Sequence, residues 1–360
     1  MINVDSAQLG LCTKIILLGK KWLMTATRRV IILFLKPGNQ SYNLMKQTNI
    51  IPMLLAAVTS LSLTTHAAYI VNDTWIDGTR TDPATPTDSE YGVDGDLDGN
   101  IESRWANAGG TMNVINANPT VTPGLLRTTV PTAGSASWTS YFTPDATPVS
   151  LLNAGDKMTI RWVFSPTAPV SATSGNQNLR IAIVDSPAAT RLAADGAPGT
   201  GAYTGYGVFG TFSTTLGATP LRLMERVNPA GNFLSTSGEY AQRATAGTSG
   251  NIGYVQGTTY TLVFTAERTA ASALDITLSM SGGSINGGGV ISMAFTDTTP
   301  NSFTFDTFGV RPQTGALTSE QIDTSLFQVE FDSVSVPEPT AAALLGVGIM
   351  GLIAARRNRC

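Results

Sequence analysis

The central part of this chain contains no histidine and no cysteine. Of the 360 residues, the one histidine, His66, and the two cysteines, Cys12 and Cys360, lie outside residues 69–336. Ser/His/Asp and Cys/His catalysis, His or Cys zinc sites and histidine pH switches all need an imidazole or a thiolate. Residues 69–336 therefore exclude these sites and cannot form a disulfide, so stability outside a cell must come from packing, with calcium as a further source.

Positive charge is also scarce in this segment. The chain as a whole has a formal net charge of −3, but residues 69–336 carry 12 basic and 23 acidic residues, with Lys157 as the one lysine. Proteins that bind the nucleic-acid backbone need clustered Lys and Arg to displace counterions. The acidic body therefore argues against nucleic acid as a partner.

Residues 45–68 have the three-part layout of a secretory signal peptide. Met45 and Lys46 open it, residues 50–63 are mostly apolar, and small residues close it. We expect signal peptidase to cut after Ala67 or Ala68. Residues 1–44 do not fit the front of such a signal, and two interpretations stay open: a mis-assigned start with Met45 as the true one, or an extension that remains as an uncleaved membrane anchor.

The last 24 residues combine three features in a fixed order. A Pro337-Glu338-Pro339 triplet comes first, the uncharged apolar run 341–355 follows, and the end carries Arg356, Arg357 and Arg359. A helix must start after the triplet, and arginines hold its far end at the cytoplasmic leaflet. We predict a short transmembrane helix with the body outside. The run is shorter than the roughly 20 residues of a usual span, so the anchor at the inner membrane is transient.

Together with the signal peptide, this order resembles the PEP-CTERM sorting signal of Gram-negative bacteria that make exopolysaccharide. The resemblance implies an exosortase, an integral membrane transpeptidase-like enzyme that recognises the Pro-Glu-Pro region and releases or transfers the exported body. The triplet and the three arginines match the family pattern, whereas Cys360 is not a usual part of it. The alternative is an ordinary tail anchor with a coincidental triplet.

Apolar residues alternate with polar ones along most of residues 69–336. Such alternation is typical of strands, whose side chains point to opposite faces in turn. Clear runs occur at 158–164, 179–184, 260–264, 274–280, 303–308 and 327–331. About a dozen short strands suit an all-β fold, a two-sheet, jelly-roll-like sandwich in one domain, 69–336. It resembles the laminin-G or concanavalin-like lectin type, and the runs 303–310 and 328–334 resemble the end strands of such exported domains.

An acidic stretch near the start of the body matches the first half of a calcium loop. Short carboxylates at alternate positions converge on a hard cation, and Gly99 permits the sharp turn. The match fails at the twelfth position, where Trp105 replaces the usual glutamate, so Glu102 would substitute as a ligand. The two alternatives are a calcium site and a solvated acidic turn. The candidate ligands are Asp94, Asp96, Asp98, Asn100 and Glu102.

Aromatic residues could offer flat faces for sugar stacking. Trp162 alternates with apolar residues and is expected in the core. Tyr203 and Tyr206 lie in a glycine-rich stretch that we interpret as a loop, which places them better for a ligand. A simple glycine-rich turn is the alternative.

These features predict an exported, exosortase-sorted protein with a structural or adhesive role in the cell envelope or the exopolysaccharide matrix of a biofilm. A lectin-like carbohydrate-binding module is the alternative. A polysaccharide-active enzyme comes third, because it would need two carboxylates facing each other across a cleft. The expected partners are signal peptidase, the exosortase, the inner membrane and exopolysaccharide.

Overall fold

The computed structural model describes residues 68–81, 89–117, 122–129, 136–172, 175, 177–234, 238–313 and 321–334. In these ranges no helix is long and apolar enough to cross a membrane. Residues 1–44, the predicted signal peptide up to Ala67 and the predicted sorting signal lie outside the described residues. The boundaries predicted for these segments stay predictions.

The described residues form strands joined by loops and two short 3-10 turns. The strands are β1 (Ala68–Asp73), β2 (Trp105–Ala108), β3 (Thr111–Ile115), β4 (Leu125–Thr129), β5 (Ser137–Tyr141), β6 (Val149–Ser150), β7 (Lys157–Pro166), β8 (Leu179–Asp185), β9 (Thr204–Gly210), β10 (Leu221–Arg226), β11 (Tyr240–Ala246), β12 (Tyr260–Ala270), β13 (Ala273–Ser281), β14 (Val290–Asp297), β15 (Thr304–Phe305), β16 (Thr307–Pro312) and β17 (Gln321–Asp332).

Two large antiparallel sheets contain nearly all of these strands. The first has the order β14-β13-β12-β7-β17-β4-β3, and the second has the order β11-β10-β9-β8-β16-β5-β2. Strand β17 pairs with β7 along one side; on its other side, β4 pairs with its first half and β1 with its second half. Strands β6 and β15 form a small ribbon. The predicted all-β, two-sheet sandwich is confirmed.

The core lies between the sheets, where aromatic rings from both sheets meet. Phe308 of β16 and Phe327 of β17 have ring centroids 4.8 Å apart, and Trp105 of β2 approaches Phe327 edge-on at 5.1 Å. Trp162 of β7 is fully buried beside them, as the alternation predicted. The two closing runs of the sequence therefore lie in opposite sheets and meet through their side chains.

Short segments before β11 cover part of the outer face of the second sheet. Arg226, at the end of β10, donates hydrogen bonds to four backbone carbonyls in this connection, those of Pro229, Gly231, Asn232 and Phe233. The bonds hold the Phe233 ring against Gly309 of β16, where a side chain would not fit. A Cβ atom on Gly309 would lie 2.7 Å from Cζ of Phe233.

The close approach of Phe233 predicts the effect of one added methyl group. We expect Gly309→Ala to lower the free energy of unfolding by about 1–3 kcal/mol, because the ring must move away from the sheet. Gly288→Ala is the matched control, since no atom lies within 4 Å of the added Cβ there, and its effect should stay within about 0.5 kcal/mol. Urea unfolding measures both; equal effects would contradict the packing described.

Asp306 interrupts the run predicted as one strand at 303–308 and separates β15 from β16. Its fully buried carboxylate accepts hydrogen bonds from the Ser186 backbone N–H at 2.9 Å and from the Thr307 hydroxyl at 2.5 Å. Arg191 pairs with it at 3.3 Å. Burial outweighs these contacts and raises the pKa of Asp306 to about 6.

The raised pKa of Asp306 predicts a pH dependence of stability. Between the ordinary pKa of 3.8 and about 6, the folded protein holds this proton more tightly than the unfolded chain does. The contribution of the protonated Asp306 to the free energy of unfolding is therefore complete below about pH 4 and is lost as pH rises through about 6. Relative to Asp306→Asn, we expect the wild-type free energy of unfolding to fall by up to about 3 kcal/mol from pH 4 to 7.

Unfolding by urea at several pH values tests this expectation. The exposed Asp145 provides the matched control, Asp145→Asn, whose pH profile should follow that of the wild type. Parallel profiles for wild type and Asp306→Asn would show that Asp306 titrates normally.

Candidate metal centre

Two tryptophans fix the acidic part of the chain to the core. Trp75 follows β1 and Trp105 begins β2; both are buried, and their ring centroids lie 6.4 Å apart. Asp73 and Glu102 precede these rings by only two and three residues. Packing of the rings therefore draws both carboxylates below the surface, where Asp73 is 1% and Glu102 3% exposed.

The backbone beside these residues is paired. The N–H of Asn72 donates to the carbonyl of Ile101 at 2.8 Å. The Thr74 hydroxyl and N–H both donate to Oδ1 of Asn100, at 2.9 and 3.2 Å. Residues 100–102 therefore run against the end of β1 and place the acidic loop at this edge.

Each aspartate of the loop uses one oxygen for the backbone. Oδ2 of Asp94 accepts from the N–H of Gly99 at 3.0 Å, Oδ1 of Asp96 from Asp98 at 3.3 Å, and Oδ1 of Asp98 from Asn100 at 2.7 Å. Gly99 has a φ of 91°, as the sharp turn requires. The second oxygens of Asp94 and Asp98 are buried and have no hydrogen-bond partner.

Two glutamates complete the cluster from the other side. Glu90 accepts from the N–H of Gly95 at 2.5 Å and from the N–H of Glu102 at 2.9 Å. The carboxylate of Glu102 is buried, and neither of its oxygens has a hydrogen-bond partner. An unpaired buried carboxylate is costly, so Glu102 requires a positive partner or a proton.

The five carboxylates fall into two groups, which we call the acidic cluster. Oxygens of Glu90, Asp96 and Glu102 lie within 4.8 Å of one another, and so do oxygens of Asp94, Asp96 and Asp98. Asp96 belongs to both groups. These are the distances at which oxygens surround a single cation.

Burial and mutual repulsion shift the pKa values here. Burial, followed by the charges of Asp77, Asp73, Asp98 and Glu90, raises the pKa of Glu102 to about 9. Burial also raises the pKa of Asp98, with Asp96 and Asp94 adding to it.

Asp73 behaves differently because its oxygens are already satisfied. They accept from the N–H groups of Trp75 at 3.0 Å and Ser103 at 3.3 Å. Burial nevertheless raises the pKa of Asp73 to about 8. Arg80, the one basic residue between positions 73 and 102, forms an ion pair with Asp195 instead.

The structure brings together four of the five predicted metal ligands. The fifth, Asn100, turns its side-chain oxygen to Thr74, from which it accepts two hydrogen bonds. Glu90 and the nearby charge of Asp77 were missed, because no loop spacing rule includes them. The alternative prediction, a solvated acidic turn, fits the exposed Asp96 but does not fit the buried Glu102.

The prediction that Tyr203 and Tyr206 present their rings to a ligand is wrong. Tyr206 lies within β9, is fully buried, and donates its hydroxyl to Asp297 at 2.8 Å. Tyr203 is 1% exposed, packs against Phe233 at 5.0 Å and donates to the Gly199 carbonyl at 2.8 Å. The glycines around Tyr206 belong to a strand, which the loop interpretation overlooked.

Comparison with known proteins gives one sequence match and several distant structural similarities. Residues 335–359 match the PEP-CTERM protein-sorting motif. No curated protein matches the chain in sequence.

Among solved structures, the carbohydrate esterase of Shiga toxin-encoding bacteriophage phi24B is 14% identical, with a TM-score of 0.38 over 74% of this chain and 100% of that one. The exoplasmic/lumenal domain of VIP36, bound to Ca2+ and Man3GlcNAc, is 14% identical, with a TM-score of 0.38 over 71% and 92%. Lectin II from Ulex europaeus is 14% identical, with a TM-score of 0.34 over 64% and 93%.

The matched motif begins directly after the described end of the body. Strand β17 ends at Asp332, and the motif begins at residue 335. It contains all six predicted sorting residues, Pro337, Glu338, Pro339, Arg356, Arg357 and Arg359. The described part of the chain is thus an all-β sandwich, and a PEP-CTERM protein-sorting motif follows it, which marks the protein as exported and sorted by an exosortase.

Proposed function

We propose that the sandwich is a non-catalytic structural or adhesive component of the cell envelope or the exopolysaccharide matrix, stabilised by calcium held in the acidic cluster. The observation that carries the calcium proposal is the buried Glu102 carboxylate with two unpartnered oxygens. The sorting motif supports the location.

Several features support a role without catalysis. Residues 69–336 contain no histidine or cysteine. Two of the carboxylates on strand-like runs are already engaged: Asp306 is buried in the second sheet and pairs with Arg191, whereas Asp332 lies in the first sheet and pairs with Lys157 at 3.2 Å. A glycosidase needs an opposed pair.

The chemistry of the cluster favours calcium. Ca2+ takes six to eight oxygen ligands at about 2.3–2.6 Å in flexible geometry, whereas Mg2+ demands a near-ideal octahedron and keeps several waters. Carboxylates here come from residues 90–102, a loop with irregular spacing. The carboxylate oxygens that are not used for backbone hydrogen bonds have an irregular arrangement. This arrangement favours a cation with flexible coordination geometry.

A cation at this place would add a bridge between the two sides of the loop, which hydrogen bonds between Glu90 and Glu102 already join. Glu90 and Glu102 lie on either side of the loop, and residues 100–102 pair with the end of β1. In a body without cysteine, such a bridge takes the part that disulfides play in other exported proteins. Binding to the folded state alone raises stability by mass action.

The Glu102→Gln variant tests the calcium proposal through an inversion of stability. Without calcium at pH 7, we expect the variant to unfold at a higher temperature than the wild type, because Glu102, with its pKa raised to about 9, must take up a proton on folding whereas glutamine need not. With millimolar calcium, the wild type should gain roughly 5–10 °C and become the more stable protein, while the variant gains much less.

Calorimetric scans with and without calcium measure these midpoints. Glu267→Gln on β12 is the matched control and should respond to calcium as the wild type does. A wild-type midpoint that calcium leaves unchanged would refute the calcium site.

Glycan binding is the second candidate function, supported by a cleft beside the acidic cluster. The cleft has a volume of about 420 Å³ and shares the segment at Ser89 and Tyr91 with the cluster. Arg104, Tyr141 and Arg191 supply guanidinium groups and a phenol, which are suitable hydrogen-bonding groups for a saccharide. Binding of the purified body to a glycan array, abolished by Arg104→Ala, would support it, and silence across the array would favour the structural role.

The sorting proposal predicts the effect of changing the triplet. Replacement of Pro337, Glu338 and Pro339 by alanine should leave the protein at the inner membrane, because the exosortase no longer recognises it. Fractionation and immunoblotting in a host with an exosortase measure the distribution. Thr340→Ala is the adjacent control and should sort as the wild type does. Normal sorting of the triple variant would defeat the proposal.

A further inference from the structure

We propose that the acidic cluster holds two divalent cations that share Asp96 as a bridging ligand. This inference rests on the proposed calcium site and sets its stoichiometry and its two ligand sets. The first ion takes Glu90, Asp96 and Glu102, and the second takes Asp94, Asp96 and Asp98.

The distances between oxygens argue for two positions. Two oxygens that bind the same calcium at about 2.3–2.6 Å lie no more than about 5 Å apart. The oxygens within each group satisfy this limit at 4.8 Å, but among the described residues the five carboxylates form two such groups and not one. A single ion therefore does not reach Glu102 and both Asp94 and Asp98 in this arrangement.

Each group also has oxygens that await a partner. Glu102 contributes two buried oxygens without hydrogen bonds to the first group. Asp94 and Asp98 each contribute one to the second group, because their other oxygens hold the loop backbone. With one ion bound to each group, the unpartnered oxygens of both groups would have a partner. A single ion would leave the oxygens of one group without a partner.

Asp96 is suited to act as the bridge because it belongs to both groups. Its Oδ1 accepts the N–H of Asp98 at a long 3.3 Å, and a carboxylate offers about four lone-pair positions. Carboxylates that bridge two cations are a recurrent arrangement, with the ions about 4 Å apart.

Charge supports the same conclusion. The five carboxylates of the cluster carry five formal negative charges, and Asp77 adds to the local repulsion. One divalent cation would leave most of that charge unbalanced at short range in a partly buried place. A second cation brings the cluster close to neutrality, so electrostatic repulsion favours filling both positions.

Calcium titration of the purified body by calorimetry tests the stoichiometry. We expect two calcium ions per chain for the wild type and for the control Asp275→Asn, whose carboxylate lies on β13. Glu102→Gln and Asp98→Asn should each retain one ion. Asp96→Asn should weaken both positions by at least tenfold. Circular dichroism confirms that each variant is folded.

A second measurement needs no variant. Wild-type protein loaded with a mixture of terbium and europium should show efficient energy transfer between the lanthanides, because ions that share a carboxylate lie about 4 Å apart. One calcium per chain and no transfer would overturn the two-ion inference and leave the proposed calcium site intact. No binding at all would overturn both.

Discussion

The contact between Trp75 and Trp105 is the interaction on which the acidic site depends. The two indoles lie in the core between the sheets and fix the ends of two chain segments, one after β1 and one at the start of β2. The carboxylates of Asp73 and Glu102, two and three residues before these rings, are therefore held below the surface. Burial of a large apolar side chain contributes roughly 1.5–3 kcal/mol to stability, and this contribution holds in the interior charged groups that water would solvate better.

In this arrangement, hydrophobic burial of the tryptophans opposes electrostatic repulsion between the carboxylates. Nine of the 23 acidic residues of the body lie between Asp73 and Glu102, with Arg80 as the one basic residue among them. Elsewhere buried carboxylates are satisfied, either by an ion pair, as Asp306 is by Arg191 and Asp323 by Arg127, or by hydrogen bonds, as Asp156 and Asp297 are. Among the described carboxylates, only those of the acidic cluster have buried oxygens without a partner. This difference indicates a positively charged partner that is not part of the chain.

Sequence reasoning predicted the strands because burial of one face imposes a period of two, as in β7, β13 and β17. It predicted Asp94, Asp96, Asp98 and Glu102 because metal loops have a regular spacing. It missed Glu90, which reaches the cluster through pairing with residue 102, a contact that spacing along the chain does not show. It also misplaced Tyr206, because glycines on the outer face of β9 are indistinguishable in sequence from glycines in a loop.

The pairing of β17 has a consequence for the order of folding. This strand lies in the middle of the first sheet, where it touches β7, β4 and β1, yet it comes last among the strands that the structure describes. The first sheet therefore stays in three parts, β14-β13-β12-β7, β4-β3 and β1, until residues 321–332 join them. The sorting motif follows within a few residues. The strand that completes the first sheet and the motif that directs sorting are thus neighbours in the chain, so the sheet cannot close before almost the whole body has been synthesised.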